Sequence, residues 1–132
     1  MTQEEEKNLL LKDLCTRLPY GVRYRHFTWN DEYGETYIAA QIYSINTDGY
    51  VKNCHDDETV YIDNVRPYLF HLSSMTEEQK KEYQYITERW MYDPAYSISD
   101  SIDWLNKHHF DYRGLIEKGL ALEAPEEMYK TE

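Results

Sequence analysis

The chain has 132 residues, a length that suits one domain built round a single core. It is 41% hydrophobic and 15% aromatic with fourteen tyrosines, a globular composition in which Tyr supplies much half-buried surface. Its formal net charge of −11 would repel a phosphate backbone, so direct DNA or RNA binding is not expected, whereas a basic protein partner or a nucleic-acid mimic fits the charge.

The opening "MTQEEEKN" leads a charged amphipathic stretch with no basic start and no apolar h-region, so this stretch is not expected to be a signal peptide. No apolar run approaches the roughly 18 residues of a spanning helix. The expectation is a cytoplasmic protein away from the membrane, monomeric or homodimeric, with Cys15 and Cys54 as reduced thiols.

Thr2 followed by Glu5 predicts a capped helix over residues 1–19. Leu10, Leu11, Leu14, Cys15 and Leu18 form its apolar stripe, and Pro19 stops it. Residues 21–72 switch to a period of two. "GVRYRHFTW" sets Val22, Tyr24 and His26 against Arg23, Arg25 and Phe27. "ETYIAAQIYSI" is apolar on both faces, as a strand paired on both sides would be. "NDEYGE" and "NTDGY" are turns, and "TVYI" is a short strand. Pro67 makes "DNVRPYLF" an edge strand or a helical turn.

Residues 76–122 return to helical period. Thr76 and Gln79 predict a capping box ahead of a helix with Tyr83, Ile86 and Trp90 on one face. Ser99 or Asp100 caps a second helix striped by Ile98, Ile102 and Leu105. A third, "YRGLIEK", runs to Gly119, and residues 123–132 form a polar, frayed tail. The fold class is therefore α+β in a single domain, residues 1–132. An N-terminal helix, a small antiparallel sheet or partly open SH3-like barrel, and two to three C-terminal helices make it up.

Candidate chemistry is sparse. GxSxG, HExxH, GxxxxGK[ST] and GxGxxG do not occur. Cys15 on an apolar helix face reads as inert packing. His108, His109 and Asp111 invite a metal or proton-transfer reading. Adjacent helical residues point about 100° apart, however, so the two histidines suit a helix end and Asp111 the cap that follows. In "HDDE", His55, Asp56, Asp57 and Glu58 include metal-binding types without the alternate spacing and glycine of a calcium loop, as a solvated hairpin tip does. No metal, other cofactor or catalytic residue is expected. His55, Asp57, His108 and His109 are the weak candidates for a metal-dependent hydrolase.

Three stretches, "LCTRLPYGV", "VRPYLFHLSSMTEEQKKEY" and "SIDWLNKHHFDYRGLIEKGLALEAPEEMY", resemble a family of small uncharacterised proteins frequent in gut Bacteroides genomes, prophages and other mobile elements. The resemblance covers residues 14–23 and 65–129 and is poor over residues 26–64. It implies a phage-like or mobile-element setting in a bacterial cytoplasm, and it implies no activity. The expected function is a non-enzymatic protein-interaction module with an unidentified protein partner. Trp29, Tyr33, Tyr50, Asp56, Asp57 and Glu58 are its expected contacts, placed on loops near residues 30–35 and 46–58. A metal-dependent hydrolase or an acidic nucleic-acid mimic is the alternative.

Overall fold

The computed structural model describes residues 2–30, 32 and 34–129. Helix α1 (Gln3–Arg17) starts where the Thr2 hydroxyl accepts the Glu5 N–H at 3.1 Å, satisfying one of the free amides of the first turn. Its inward face is Leu10, Asp13, Leu14 and Arg17, a run of i, i+3, i+4 and i+7. Cys15, expected in that stripe, lies about 100° further round the helix and is exposed. A left-handed Gly21 (φ 72°) then turns the chain into the sheet.

Strands β1 (Arg23–Asn30), β2 (Gly34–Ile45), β3 (Tyr50–Asn53) and β4 (Thr59–Tyr61) pair antiparallel in the order β1-β2-β3-β4 and curl into a half-barrel. The α+β architecture is thus the one expected, and β2, apolar on both faces, is paired on both sides. The turn into β3 is made by Asn46, whose Oδ1 accepts the Asp48 and Tyr50 N–H groups at 3.0 Å each. Gly49 there has φ 93°, and a Cβ would meet the Ile62 side chain at 3.1 Å.

Alternation along β1 buries Val22, Tyr24 and His26, the first two among Leu10, Leu14, Ala40, Ile42, Val51, Ile62, Leu69 and Leu115, while Arg25 and Phe27 face solvent. Each large aliphatic side chain in this core contributes about 1.5–3 kcal/mol of burial energy.

The C-terminal half departs from expectation in three places. Strand β5 (Tyr68–His71) is no antiparallel edge. It is the centre of a second, parallel sheet, between β6 (Phe110–Asp111) and β7 (Leu122–Glu123). Pro67 sits just ahead of that strand, where a missing N–H breaks no ladder, and its carbonyl accepts from Leu122 at 2.8 Å.

Helices α2 (Glu77–Tyr92) and α3 (Ile98–Lys107) follow. Thr76 and Gln79 form the capping box of α2, and Asp100 accepts the Ser97 N–H at 2.6 Å, placing the α3 cap two residues before Ser99. Trp104, Leu105 and Phe110 make a second core with Tyr83 and Ile86, but Ile98 and Ile102, expected to share the stripe, stand outside it.

No third helix forms. Gly114 and Gly119, both at positive φ, bound a run of turns instead. Asp111 still caps it, accepting the Leu115 and Ile116 N–H groups at 2.9 Å each.

The tail is also not frayed as far as it is described. The Tyr129 hydroxyl donates to the Tyr68 carbonyl at 2.8 Å and accepts the Arg23 N–H at 2.8 Å, while its ring stacks on His109 at 3.6 Å between centroids. Residues 130–132 lie outside the described residues. Among the described residues no helix is long and apolar enough to cross a membrane.

Candidate binding site

Two features on the β1–β2 side concentrate chemistry, a buried polar relay and an exposed aromatic face. The relay begins with Asn53, whose Oδ1 accepts the His55 and Asp56 N–H groups at 2.8 and 3.0 Å. Its amide orientation is thereby fixed, and Nδ2 donates to the Tyr24 hydroxyl at 3.0 Å. The phenol in turn gives its hydrogen to Nδ1 of His26, 3.0 Å away. That assigns the ring hydrogen to Nε2, which donates to Asp56 at 2.9 Å.

The His26 bond, and after it the Glu58 N–H, lowers the Asp56 pKa to about 2. Burial pushes the Tyr24 phenol above its ordinary value. Tyr24 and His26 are 1% and 3% exposed, so the relay offers bulk solvent only its carboxylate end.

Among the described residues His26, Asp56 and Glu58 form the group of three whose ligand atoms lie within 4.8 Å of one another. The relay fits a cation poorly. Coordination at Nε2 would move the ring hydrogen to Nδ1, where the Tyr24 oxygen would accept it along with the Asn53 hydrogen. The phenol's own hydrogen would then lose its acceptor in a buried site, at a cost of about 1–3 kcal/mol. The arrangement locks the loop 54–58 onto β1.

The structure does not assemble the metal candidates expected from sequence. His55 is exposed and gives only its backbone N–H to Asn53. Asp57, at φ 59°, accepts from the Tyr43 hydroxyl. His108 lies tilted against Trp104 at 4.4 Å between ring centroids, whereas His109 turns away at φ 61° to pack on Tyr129. Burial, then the Arg17 charge and His108, lowers the His109 pKa to about 3.

The exposed face lies on the other side of the same strands. Phe27 and Tyr37 are paired across β1 and β2 and meet edge-on at 5.9 Å, and the Arg25 guanidinium lies 4.8 Å from the Tyr37 ring centroid. Trp29 at 66% exposure and Tyr43 at 46% extend this face along β1 and β2. Of the contacts expected from sequence, Trp29, Asp56, Asp57 and Glu58 lie on it or on the adjoining loop. Tyr50 projects from β3 and packs on Tyr61 at 5.3 Å, and Tyr33 lies outside the described residues.

Phe27, Tyr37 and Tyr43 are not among the contacts expected from sequence, although their odd positions on strands with a buried even face mark them as outward. Alternation also marked His26 as a buried polar ring in need of a partner.

Between the edge of β1 beyond its Tyr24–Pro67 bridge and the β4 side runs a groove of about 370 Å³, with Arg25, Phe27, Glu58, Val60, Asn64 and Arg66 on its walls together with Tyr24, His26 and Tyr37. A second exposed apolar patch, Trp90, Met91, Tyr92 and Ile98, lies at the α2–α3 connection. Comparison with family models, with curated proteins and with solved structures found no match.

Proposed function

We propose that this chain is a non-enzymatic protein-interaction module acting on a host or phage protein in a bacterial cytoplasm. Its contact surface is the outward face of β1 and β2 with the adjoining acidic loop 54–58. One observation carries the reading. Arg25, Phe27, Trp29, Tyr37 and Tyr43 are exposed on one face of a sheet whose opposite face is the main core. Aromatic residues and arginine are the types that anchor protein interfaces, the aromatics because they bury large area with two side-chain torsions, arginine because its planar guanidinium both stacks and donates hydrogen bonds. The rigid sheet presents them in a fixed array, and the relay through His26 and Asp56 holds the loop beside them.

The same relay argues against the hydrolase alternative. Its histidine is already engaged at both ring nitrogens, and a cation at Nε2 would orphan the Tyr24 hydroxyl.

Affinity capture from a bacterial lysate tests the proposal with three baits: the wild-type chain, a Phe27→Ser/Tyr37→Ser variant, and a variant with Asp56, Asp57 and Glu58 reversed to Lys. The expected result is a reproducible partner on the wild type, lost on the first variant and weakened on the second. Equal recovery of that partner by all three baits, or recovery of none, would overturn the assignment.

A further inference from the structure

We infer that the groove between β1 and β4 is a docking site for an extended acidic peptide, which adds to the edge of β1 beyond the Tyr24–Pro67 bridge and places a carboxylate on Arg25 and Arg66. The inference rests on the interaction-module reading above and names the chemistry of the one partner segment that enters the groove, leaving the acidic loop 54–58 to a separate, basic part of that partner.

Backbone direction comes first. The Ile42 N–H donates to the Val22 carbonyl at 3.0 Å, so in the unbroken register of β1 with β2 the even residues of β1 turn their backbone groups to β2. The odd residues turn theirs the other way, and the Arg25 N–H meets the Arg66 carbonyl at 3.2 Å. Two residues on, the N–H and C=O of Phe27 point out over the groove, and no described residue bonds to either. An unpaired donor and acceptor on a strand edge is the template used when a peptide adds to a sheet.

Charge supplies the second argument. The chain carries 25 carboxylate residues against 14 Lys and Arg, yet among the described residues neither Arg25 nor Arg66 has a carboxylate within ion-pair distance. Arg25 lies on the Tyr37 ring, and Arg66 donates to the Val65 carbonyl at 2.9 Å. Both line the groove. Two guanidinium groups left to rings and backbone carbonyls in so acidic a protein are available to a carboxylate from outside, which an Arg fork binds in two parallel hydrogen bonds. Glu58 on the opposite wall disfavours an acid at that end, which gives the bound strand a direction.

Selection from a phage-displayed library of random decapeptides, panned on the folded full-length chain, tests the inference. Selected peptides should be rich in Asp and Glu, and their affinity should fall at least tenfold on an Arg25→Gln/Arg66→Gln variant. A proline placed opposite Phe27 should abolish binding, and bound peptide should slow hydrogen exchange of the Phe27 amide. Neutral or basic selected peptides, undiminished binding to the double variant, or no enrichment would overturn the inference. So would a single-stranded oligothymidine that binds the groove through the same two arginines. If Arg25→Gln/Arg66→Gln still captures the lysate partner while Phe27→Ser/Tyr37→Ser does not, the interaction module stands and the acidic-strand site falls.

Discussion

Arg17 and Arg25 lie eight residues apart in sequence and are handled in opposite ways. Arg17 is fully buried; its Nε donates to Asp13 at 2.9 Å, its Nη2 to the Phe110 carbonyl at 2.6 Å, and its guanidinium lies 5.3 Å from the Tyr112 ring centroid. Arg113 reaches the other oxygen of Asp13 at 2.7 Å. Arg25, on the far side of the sheet, is exposed and rests on Tyr37 with no carboxylate partner among the described residues. Tyrosine divides the same way. Tyr129 is locked by three backbone groups, while Tyr37 is 55% exposed. One region closes most of its polar groups on one another, leaving Arg17 Nη1 and His109 Nδ1 buried without a partner among the described residues, and ties α1 to the C-terminal segment. The other leaves the same residue types facing outward. Burial and partnering, more than residue type, separate scaffold from surface.

Breaking the closed region should cost most. Asp13→Ala leaves two arginines without their carboxylate, one of them fully buried, and should destabilise the fold by about 3–5 kcal/mol in urea titration. Tyr129→Ala removes a buried ring and its hydroxyl bonds, at about 3 kcal/mol, and should open the segment 122–129 to proteolysis.

The pH response comes next. His109 has a pKa of about 3 in the fold against 6.5 ordinarily, so below 6.5 the unfolded chain binds a proton that the folded chain refuses. Stability is therefore lost as pH falls from 6.5 toward 3, by at most about 1.4 kcal/mol per pH unit from this group. His109→Asn, which tolerates positive φ, should flatten that slope in thermal melts across the same range.

Asp56 adds a second loss at lower pH. Its pKa, depressed from 3.8 to about 2, gives stability that is present above 3.8 and lost as pH falls to about 2. With a third of the side chain exposed, solvent screening limits that contribution to about 1 kcal/mol.

The smallest effect belongs to the open face. Phe27→Ser/Tyr37→Ser should move the unfolding free energy by no more than about 1 kcal/mol. Added zinc or manganese should leave the midpoint unshifted, since Nε2 of His26 already holds its hydrogen toward Asp56.

Much of the sheet was legible because alternation is local. Val22, Tyr24 and His26 are buried, and β2 is an interior strand, as the period of two implies. Capping chemistry at Thr76 was legible for the same reason. What stayed hidden depends on distant partners. β5 joins β6 and β7 from roughly 40 and 50 residues away, parallel pairings that no turn signal announces. The tail looked polar, and only the pocket made by His109, Arg23 and Tyr68 gives Tyr129 its place. Likewise "HDDE" showed its acids but not that Asp56 would find His26, thirty positions earlier.

Hydrogen exchange of the full chain, alone and with its captured partner, tests the division between closed and open regions most directly. The account predicts slowed exchange across residues 25–43 and in loop 54–58, with residues 104–129 unchanged. Protection gained at the α2–α3 connection or around Tyr129, with none across β1 and β2, would contradict it.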